Sequence, residues 1–183
     1  MVQALDLTFD RPTDDRVRAE WEALRAAGLP SLARHTGASN RPHLTLDSRE
    51  QVTPEAEAGL AAVAGRLPLD VRVGTVLLFH AKQRWVLARH VVVDRALLEL
   101  HEQALGVLGS GGSPLTEQGR WVPHLTLARG LTDAQLPEAL AVVADSPPFS
   151  ATALRLRRWD QQVGRAWDVT VGDDRQTSAG RSL

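Results

Sequence analysis

The chain has 183 residues, of which 43% are hydrophobic, so it is long enough for one well-cored domain or for two small lobes that share a core. Its 21 basic and 22 acidic residues give a net charge of −1, which excludes a global positive field that would hold long nucleic acid non-specifically. The absence of cysteine excludes disulfides, thiolate metal ligands and a cysteine nucleophile.

Hydrophobic periodicity predicts strands and helices along the whole chain. In chain order, the first part contains a strand at 2–9, a helix from Pro12 to about Gly28, a loop at 30–41, a strand at 42–46, a helix opened by Pro54, and strands at 71–79 and 85–93. The second part contains a helix capped by Asp94, a flexible loop at 109–113, a strand at 121–128, a helix after a capping box at 132–135, and strands at 149–157 and 165–171.

Two of these strands carry the same five-residue word, Pro-His-Leu-Thr-Leu, in copies that are 81 positions apart. Because successive side chains of a strand point to opposite faces, His43 and Thr45 share one face of the first strand. His124 and Thr126 share one face of the second strand, and the leucines fill the opposite faces. Each strand is therefore expected to present an imidazole and a hydroxyl together.

The elements after each copy of the word come in the same order, a helix followed by two strands. The offset of 81 residues also carries Arg84, which opens the last strand of the first set, onto Arg165, which opens the last strand of the second. This repetition predicts a duplicated unit. Two copies related by a pseudo-two-fold axis would place His43 opposite His124 in a central cleft.

Two imidazoles and two hydroxyls around one cleft suit acid–base chemistry on a phosphate. Hydrolysis of a phosphodiester needs a base for the attacking water and an acid for the leaving oxygen, and histidine can serve as either because its unperturbed pKa is about 6.5. The hydroxyls of Thr45 and Thr126 can donate to phosphate oxygens, and Arg129, just after the second strand, adds a fixed cation. This scheme requires no metal ion and no cofactor.

The two motifs, His43-Leu-Thr45-Leu and His124-Leu-Thr126-Leu, resemble the signature of the two-histidine phosphoesterase superfamily. Within it, the chain is similar to the bacterial 2′-5′ RNA ligase family, whose members act as RNA 2′,3′-cyclic phosphodiesterases. The resemblance covers nearly the whole chain. It implies a bilobal α+β fold, in which antiparallel sheets surround a central cleft and helices pack outside.

The resemblance also implies roles for single residues. The expected groups are the catalytic residues His43 and His124 and the phosphate-binding residues Thr45, Thr126 and Arg129. The first copy has Ser48 at the position of Arg129, so any role of the arginine is one-sided. The family suggests His124 as the base and His43 as the acid, which would leave a 2′-phosphate, whereas the nearly symmetric sequence by itself leaves this assignment open.

Other interpretations of these residues remain open at this point. Two histidines also fit a metal site, although no third ligand lies at a matching spacing. Thr45 and Thr126 also fit as ordinary strand formers, and Arg129 also fits as a surface charge. Four tryptophans could pack the sheets or stack a nucleobase: Trp85, Trp121, Trp159 and Trp167. Three arginines could form a solvated edge or contact an RNA phosphate backbone: Arg155, Arg157 and Arg158.

Three functions are compatible with the motifs. The first is an enzyme that opens 2′,3′-cyclic phosphates at RNA 3′ ends or on small nucleotides, with 2′-5′ RNA ligation as the reverse reaction. The second is a phosphoesterase for another cyclic or 2′-5′-linked nucleotide, and the third is an RNA-end-binding module without catalysis. Two intact motifs favour an enzyme, because binding alone would not demand histidine.

We expect residues 1–172 to form a single domain and residues 173–183 to form a flexible tail. The sequence begins without a basic region followed by an apolar core, and no apolar run reaches membrane-spanning length. These features predict a soluble, cytoplasmic protein that acts as a monomer and has no membrane partner.

Overall fold

The fold is described by a computed structural model that covers residues 2–37 and 39–170. The strands in this part of the chain are β1 (Gln3–Phe9), β2 (His43–Arg49), β3 (Leu69–Ala81), β4 (Arg84–Val92), β5 (His124–Leu131), β6 (Phe149–Asp160) and β7 (Arg165–Asp168). The α-helices are α1 (Arg11–Ala26), α2 (Pro54–Ala64), α3 (Arg95–Leu108) and α4 (Leu136–Val143). The predicted α+β class is confirmed. The end of the last predicted strand, residue 171, and the predicted tail at 173–183 lie outside the described residues, and the division into a single domain stays a prediction.

The strands form one antiparallel sheet in the order β1-β2-β5-β4-β3-β6-β7. An additional pairing of β1 with β6 closes the first six strands into a ring. The ring is weakest between β2 and β5, which pair only at Leu44 and Leu125. The two predicted sheets are therefore joined, and the two motif strands meet at the joint.

A pseudo-two-fold relation links the two halves of the ring. The series β1, α1, β2, α2, β3 is repeated as β4, α3, β5, α4, β6, with β3 pairing to β6 and β2 pairing to β5 across the axis. The equivalent of β4 is therefore β1, because each of them pairs along the last strand of the opposite series. The predicted match of Arg84 with Arg165 holds in chain order only, since β7 is an additional strand on the other edge of β6.

Each motif strand contains a bulge at the same place. Between β1 and β2 the register shifts so that Leu46 is the extra residue, and between β4 and β5 the extra residue is Leu127. A bulge moves every later side chain to the opposite face of its strand. The leucines of both motifs are buried, as the alternation predicts.

The helices begin where the sequence predicts them to begin. Asp10, Thr53 and Asp94 cap α1, α2 and α3 by accepting hydrogen bonds from backbone amides of the first turn. The predicted capping box is present, on a three-residue 3₁₀ turn that leads into α4. No helix in the described ranges is long and apolar enough to cross a membrane. The cytoplasmic location and the monomeric state stay predictions.

The connection after α3 is fixed to β2, although the sequence predicts a flexible loop there. The Arg49 guanidinium binds Asp47 at 2.7 Å and donates to the carbonyls of Leu108 at 2.6 Å and Gly109 at 3.1 Å. Thr116 donates to the other oxygen of Asp47 at 2.7 Å. Because the Arg49 and Asp47 side chains are only 5% and 2% exposed, this network is shielded from solvent. It ties the end of α3 and the following loop to the strand that carries His43.

Candidate active site

A cavity of about 1120 Å³ lies over the inner face of the ring and is lined by both motif histidines. Thr45 and Arg129 also line it. Thr126 is 7% exposed and lies on the same strand face, more deeply buried than Thr45. The fold therefore brings the five residues singled out in the sequence to one place, with Thr126 set back from the opening.

The two imidazoles are oriented in the same way by backbone carbonyls. The Nδ1 atom of His43 lies 2.7 Å from the carbonyl oxygen of Arg41, and that of His124 lies 2.8 Å from the carbonyl oxygen of Val122. A carbonyl only accepts hydrogen bonds, so Nδ1 carries the proton in both rings and Nε2 is left for the cavity. Each Nε2 can then take up or release a proton on the cavity side.

The one residue pair between β2 and β5 sets a register in which the threonine of each motif is opposite the histidine of the other. The strands β2 and β5 pair through the first leucine of each motif. Neighbouring residues in an antiparallel pair also lie opposite each other, so His43 is across from Thr126. His124 is across from Thr45 for the same reason. Each histidine therefore has a threonine of the other half as its cross-strand neighbour.

The two threonines differ in their surroundings. The Thr45 hydroxyl donates to Asp6 Oδ1 at 2.9 Å, and Asp6 Oδ2 accepts from the guanidinium of Arg157 at 3.0 Å. At the equivalent position beside Thr126, β4 has Ala88. Among the hydrogen bonds of residues 2–37 and 39–170, none involves the Thr126 hydroxyl. The near-symmetric motifs therefore sit in an asymmetric site.

Arg129 reaches the cavity because of the bulge at Leu127. Simple alternation would place Arg129 on the face opposite His124, and the extra residue reverses this. Its equivalent in the other half, Ser48, also lines the cavity, after the bulge at Leu46. Arg129 is exposed, so it is a solvated cation that lines the cavity rather than part of the buried framework.

Burial is the main influence on the charge state of His124. The ring packs against Phe79, with centroids 4.7 Å apart, and the loss of solvent lowers the pKa of His124 below its usual 6.5. The positive charges of Arg129 and His43 lower this pKa further, and the hydrogen bond to the Val122 carbonyl opposes the change. His124 is therefore readily available as a neutral base near pH 7.

Two tryptophans support the strands from outside the motif. Trp121 donates from Nε1 to the Thr45 carbonyl at 2.9 Å, and Trp21 donates to the Thr126 carbonyl at 3.0 Å. Both carbonyls lie next to a bulge, where ladder pairing is interrupted. Trp121 also stacks on His101, with centroids 3.8 Å apart, and lines the cavity. The indoles thus give each of these carbonyls a hydrogen-bond donor and fix the two motif strands.

Several residues have roles that differ from the sequence interpretation. Arg157 and Arg158 are only 5% and 1% exposed, so they do not form a solvated edge. Arg157 is paired with Asp6, and Arg158 donates to Gln3 at 2.9 Å. The site expected from the sequence does not include Asp6. A charged residue in the middle of a buried strand is the signal that could have identified it. In the described part of the chain, no cluster of three or more His, Cys, Asp or Glu side chains could hold a metal ion.

Comparison with known proteins adds a family and a fold. The family model of the 2′-5′ RNA ligase superfamily matches residues 13–165. The fold is similar to that of E. coli LigT solved with 3′-AMP, with a TM-score of 0.52 and 20% identity over 92% of this chain and 97% of that chain. LigT solved with NADP+ and a structure described only as a phosphoesterase give the same four values. No curated protein matches the sequence at a significant level.

Proposed function

This chain belongs to the 2′-5′ RNA ligase superfamily, and from that membership we propose that it is a phosphodiesterase that opens 2′,3′-cyclic phosphates at RNA 3′ ends or on small nucleotides. One observation carries the proposal. His43 and His124 line one cavity on paired strands, each with Nδ1 held by a carbonyl and Nε2 left free. This is the arrangement that a paired acid and base require.

In the proposed reaction, His124 is the base and His43 is the acid. Nε2 of neutral His124 takes a proton from water as the water oxygen forms a bond to phosphorus. The bond between phosphorus and the ribose 3′ oxygen breaks, and protonated His43 gives its Nε2 proton to that oxygen. The product is a 2′-phosphate. The lowered pKa of His124 supports this division, because a base must be neutral to act.

Thr126 and Arg129 are the proposed donors to the non-bridging phosphate oxygens, where negative charge builds up in the transition state. Thr45 lies beside the same phosphate in this scheme. If a ribose 5′ hydroxyl replaces water, the same groups would form a 2′-5′ linkage, so ligation, the reverse of cleaving such a linkage, is a second proposed use of the site. Nucleotides in two LigT structures support nucleotide substrates for this chain.

The test of the proposed function is a product assay in the presence of EDTA. Purified protein is incubated with 2′,3′-cyclic nucleotides, with RNA that ends in a cyclic phosphate, and with 2′-5′-linked dinucleotides. We expect hydrolysis of cyclic phosphates to 2′-phosphates at a rate that the chelator does not change, because both proton transfers are assigned to imidazoles. Loss of activity with EDTA and recovery with a divalent metal would contradict the metal-independent scheme, and hydrolysis of the 2′-5′ linkage alone would identify a different substrate.

A further inference from the structure

The direction of the Thr45 hydroxyl is set by a buried ion pair. Asp6 is 2% exposed and Arg157 is 5% exposed, and they are joined at 3.0 Å. A carboxylate paired with a guanidinium carries its negative charge and can only accept hydrogen bonds. The 2.9 Å contact between Thr45 Oγ1 and Asp6 Oδ1 therefore uses the hydroxyl proton. The lone pairs of Thr45 are left for the cavity.

The other half of the fold has no such device. The residue paired with Thr126 is Ala88, whereas the residue paired with Thr45 is Asp6. On the next strand, Leu77 pairs with Ala88 and occupies the position that Arg157 has beside Asp6. The side chains at these two positions have no atom that can accept a hydrogen bond. The Thr126 hydroxyl is therefore free to turn its proton toward an anionic oxygen, whereas Thr45 is not.

Lone pairs in the cavity favour a particular ligand group. Phosphate oxygens are acceptors, so they gain nothing from a second acceptor. A water molecule that attacks phosphorus has two protons, one for the base and one for a second acceptor. Thr45 lies across the strand pair from His124, so the two residues can hold the same water.

We propose that Asp6 orients the Thr45 hydroxyl so that Thr45 accepts a hydrogen bond from the attacking water while His124 Nε2 takes the other proton. This inference rests on the proposed phosphodiesterase function and assigns different roles to the two threonines. As the oxygen–phosphorus bond forms, the second proton of the water stays on the incoming oxygen and points at Thr45. The ribose 3′ oxygen leaves with the proton from His43. Thr126 donates to the phosphate, and Asp6, which also lines the cavity, is a positioning residue that acts through the Thr45 hydroxyl.

Competition between water and methanol isolates this hydrogen bond. Methanol has one hydroxyl proton, which goes to the base. Its methyl group cannot donate a hydrogen bond to Thr45. In a mixture of the two, adenosine 2′,3′-cyclic phosphate yields the 2′-phosphate from water and the methyl ester from methanol. The ratio of these products depends only on folded, active enzyme, so it is independent of any loss of stability.

Three variants and a rescue complete the design. Thr45→Val removes the acceptor and keeps the ion pair. Asp6→Ala combined with Arg157→Leu installs the residues of the other half and leaves no buried charge unpaired. Thr126→Val is the matched control, and Thr45→Ser restores a hydroxyl at the same place.

We expect the ratio of hydrolysis to methanolysis to fall roughly tenfold in Thr45→Val and in the paired variant, the effect of one lost hydrogen bond near a charge. Combining the two should give no further change, since both remove the same interaction. Thr126→Val should slow both reactions equally, and Thr45→Ser should recover the wild-type ratio. An unchanged ratio in Thr45→Val, or an equal shift in Thr126→Val, would overturn the inference. If the paired variant gives no product, Thr45→Val decides alone. Wild-type protein that forms neither product would refute the phosphodiesterase function itself.

Discussion

Replacing either His43 or His124 by alanine is expected to lower kcat/KM for a 2′,3′-cyclic phosphate by about 100- to 10,000-fold, the range for a lost general acid or base. Both rings line the cavity and each has one nitrogen free for proton transfer. The matched control is His35→Ala, because His35 lines the same cavity and has no counterpart in the other half. We expect a much smaller loss in that variant.

An activated leaving group separates the two roles. An aryl phosphodiester releases a phenolate that needs little protonation, so it should rescue the His43 variant far more than the His124 variant. Rescue of the His124 variant instead would reverse the assignment of acid and base. Equal failure of rescue would show that the histidines bind phosphate without transferring protons.

The pH dependence gives an independent check on the same pair. A base that must be neutral loses activity as the pH falls through its pKa, so the acidic limb of kcat/KM reports His124. The positive charge of Arg129 lowers the pKa of His124. Arg129→Gln should therefore raise this pKa and move the acidic limb to higher pH. Arg120→Gln is the control, since Arg120 also lines the cavity but is not among the charges that act on His124. A limb that does not move in Arg129→Gln would contradict the assignment of His124 as the base.

The second large effect is expected on stability. Arg49→Met removes the cation from a buried pair and leaves Asp47, whose side chain is 2% exposed, with its charge unpaired. Breaking a buried pair in this way costs about 3–5 kcal/mol of the free energy of unfolding. The variant should also loosen the loop after α3, because the Leu108 and Gly109 carbonyls lose their donor. Urea unfolding at equilibrium measures the loss.

Arg11→Met is the matched control for this change. Arg11 and Asp15 form an ion pair at 3.5 Å in which the side chains are 90% and 65% exposed. A pair of this kind contributes at most about 1 kcal/mol. Equal losses of unfolding free energy in the two variants would contradict this prediction. They would show that Arg49 contributes no more than an exposed ion pair does and that the buried network does not hold the loop.

The core of the site could be predicted because it depends on local geometry. Alternation alone places His43 and Thr45 on one face of their strand, and His124 and Thr126 on one face of theirs. The repeated word indicates that the two strands occupy equivalent positions in the two halves. The buried leucines between them follow from the same alternation. A motif of five residues contains enough information for this part.

Features that depend on pairing between distant strands could not be predicted. The bulge at Leu127 is what turns Arg129 toward the cavity, and nothing in the local sequence indicates that bulge. Asp6 and Arg157 are 151 residues apart in the chain, so their pairing appears only when β1 lies beside β6. Chain order likewise predicts that β7 is the strand equivalent to β4 in the duplicated unit. The pairing of strands shows that the equivalent strand is β1.

The central claim is that the two imidazoles act on one phosphate, and the most direct test is a crystal structure of the protein with adenosine 2′-phosphate. The proposed mechanism predicts a single phosphate between the motif strands, with its oxygens about 2.6–3.2 Å from Nε2 of both His43 and His124. A phosphate that contacts only one imidazole, or that binds at the cavity rim beside Arg34 and Arg120 and away from both rings, would contradict it.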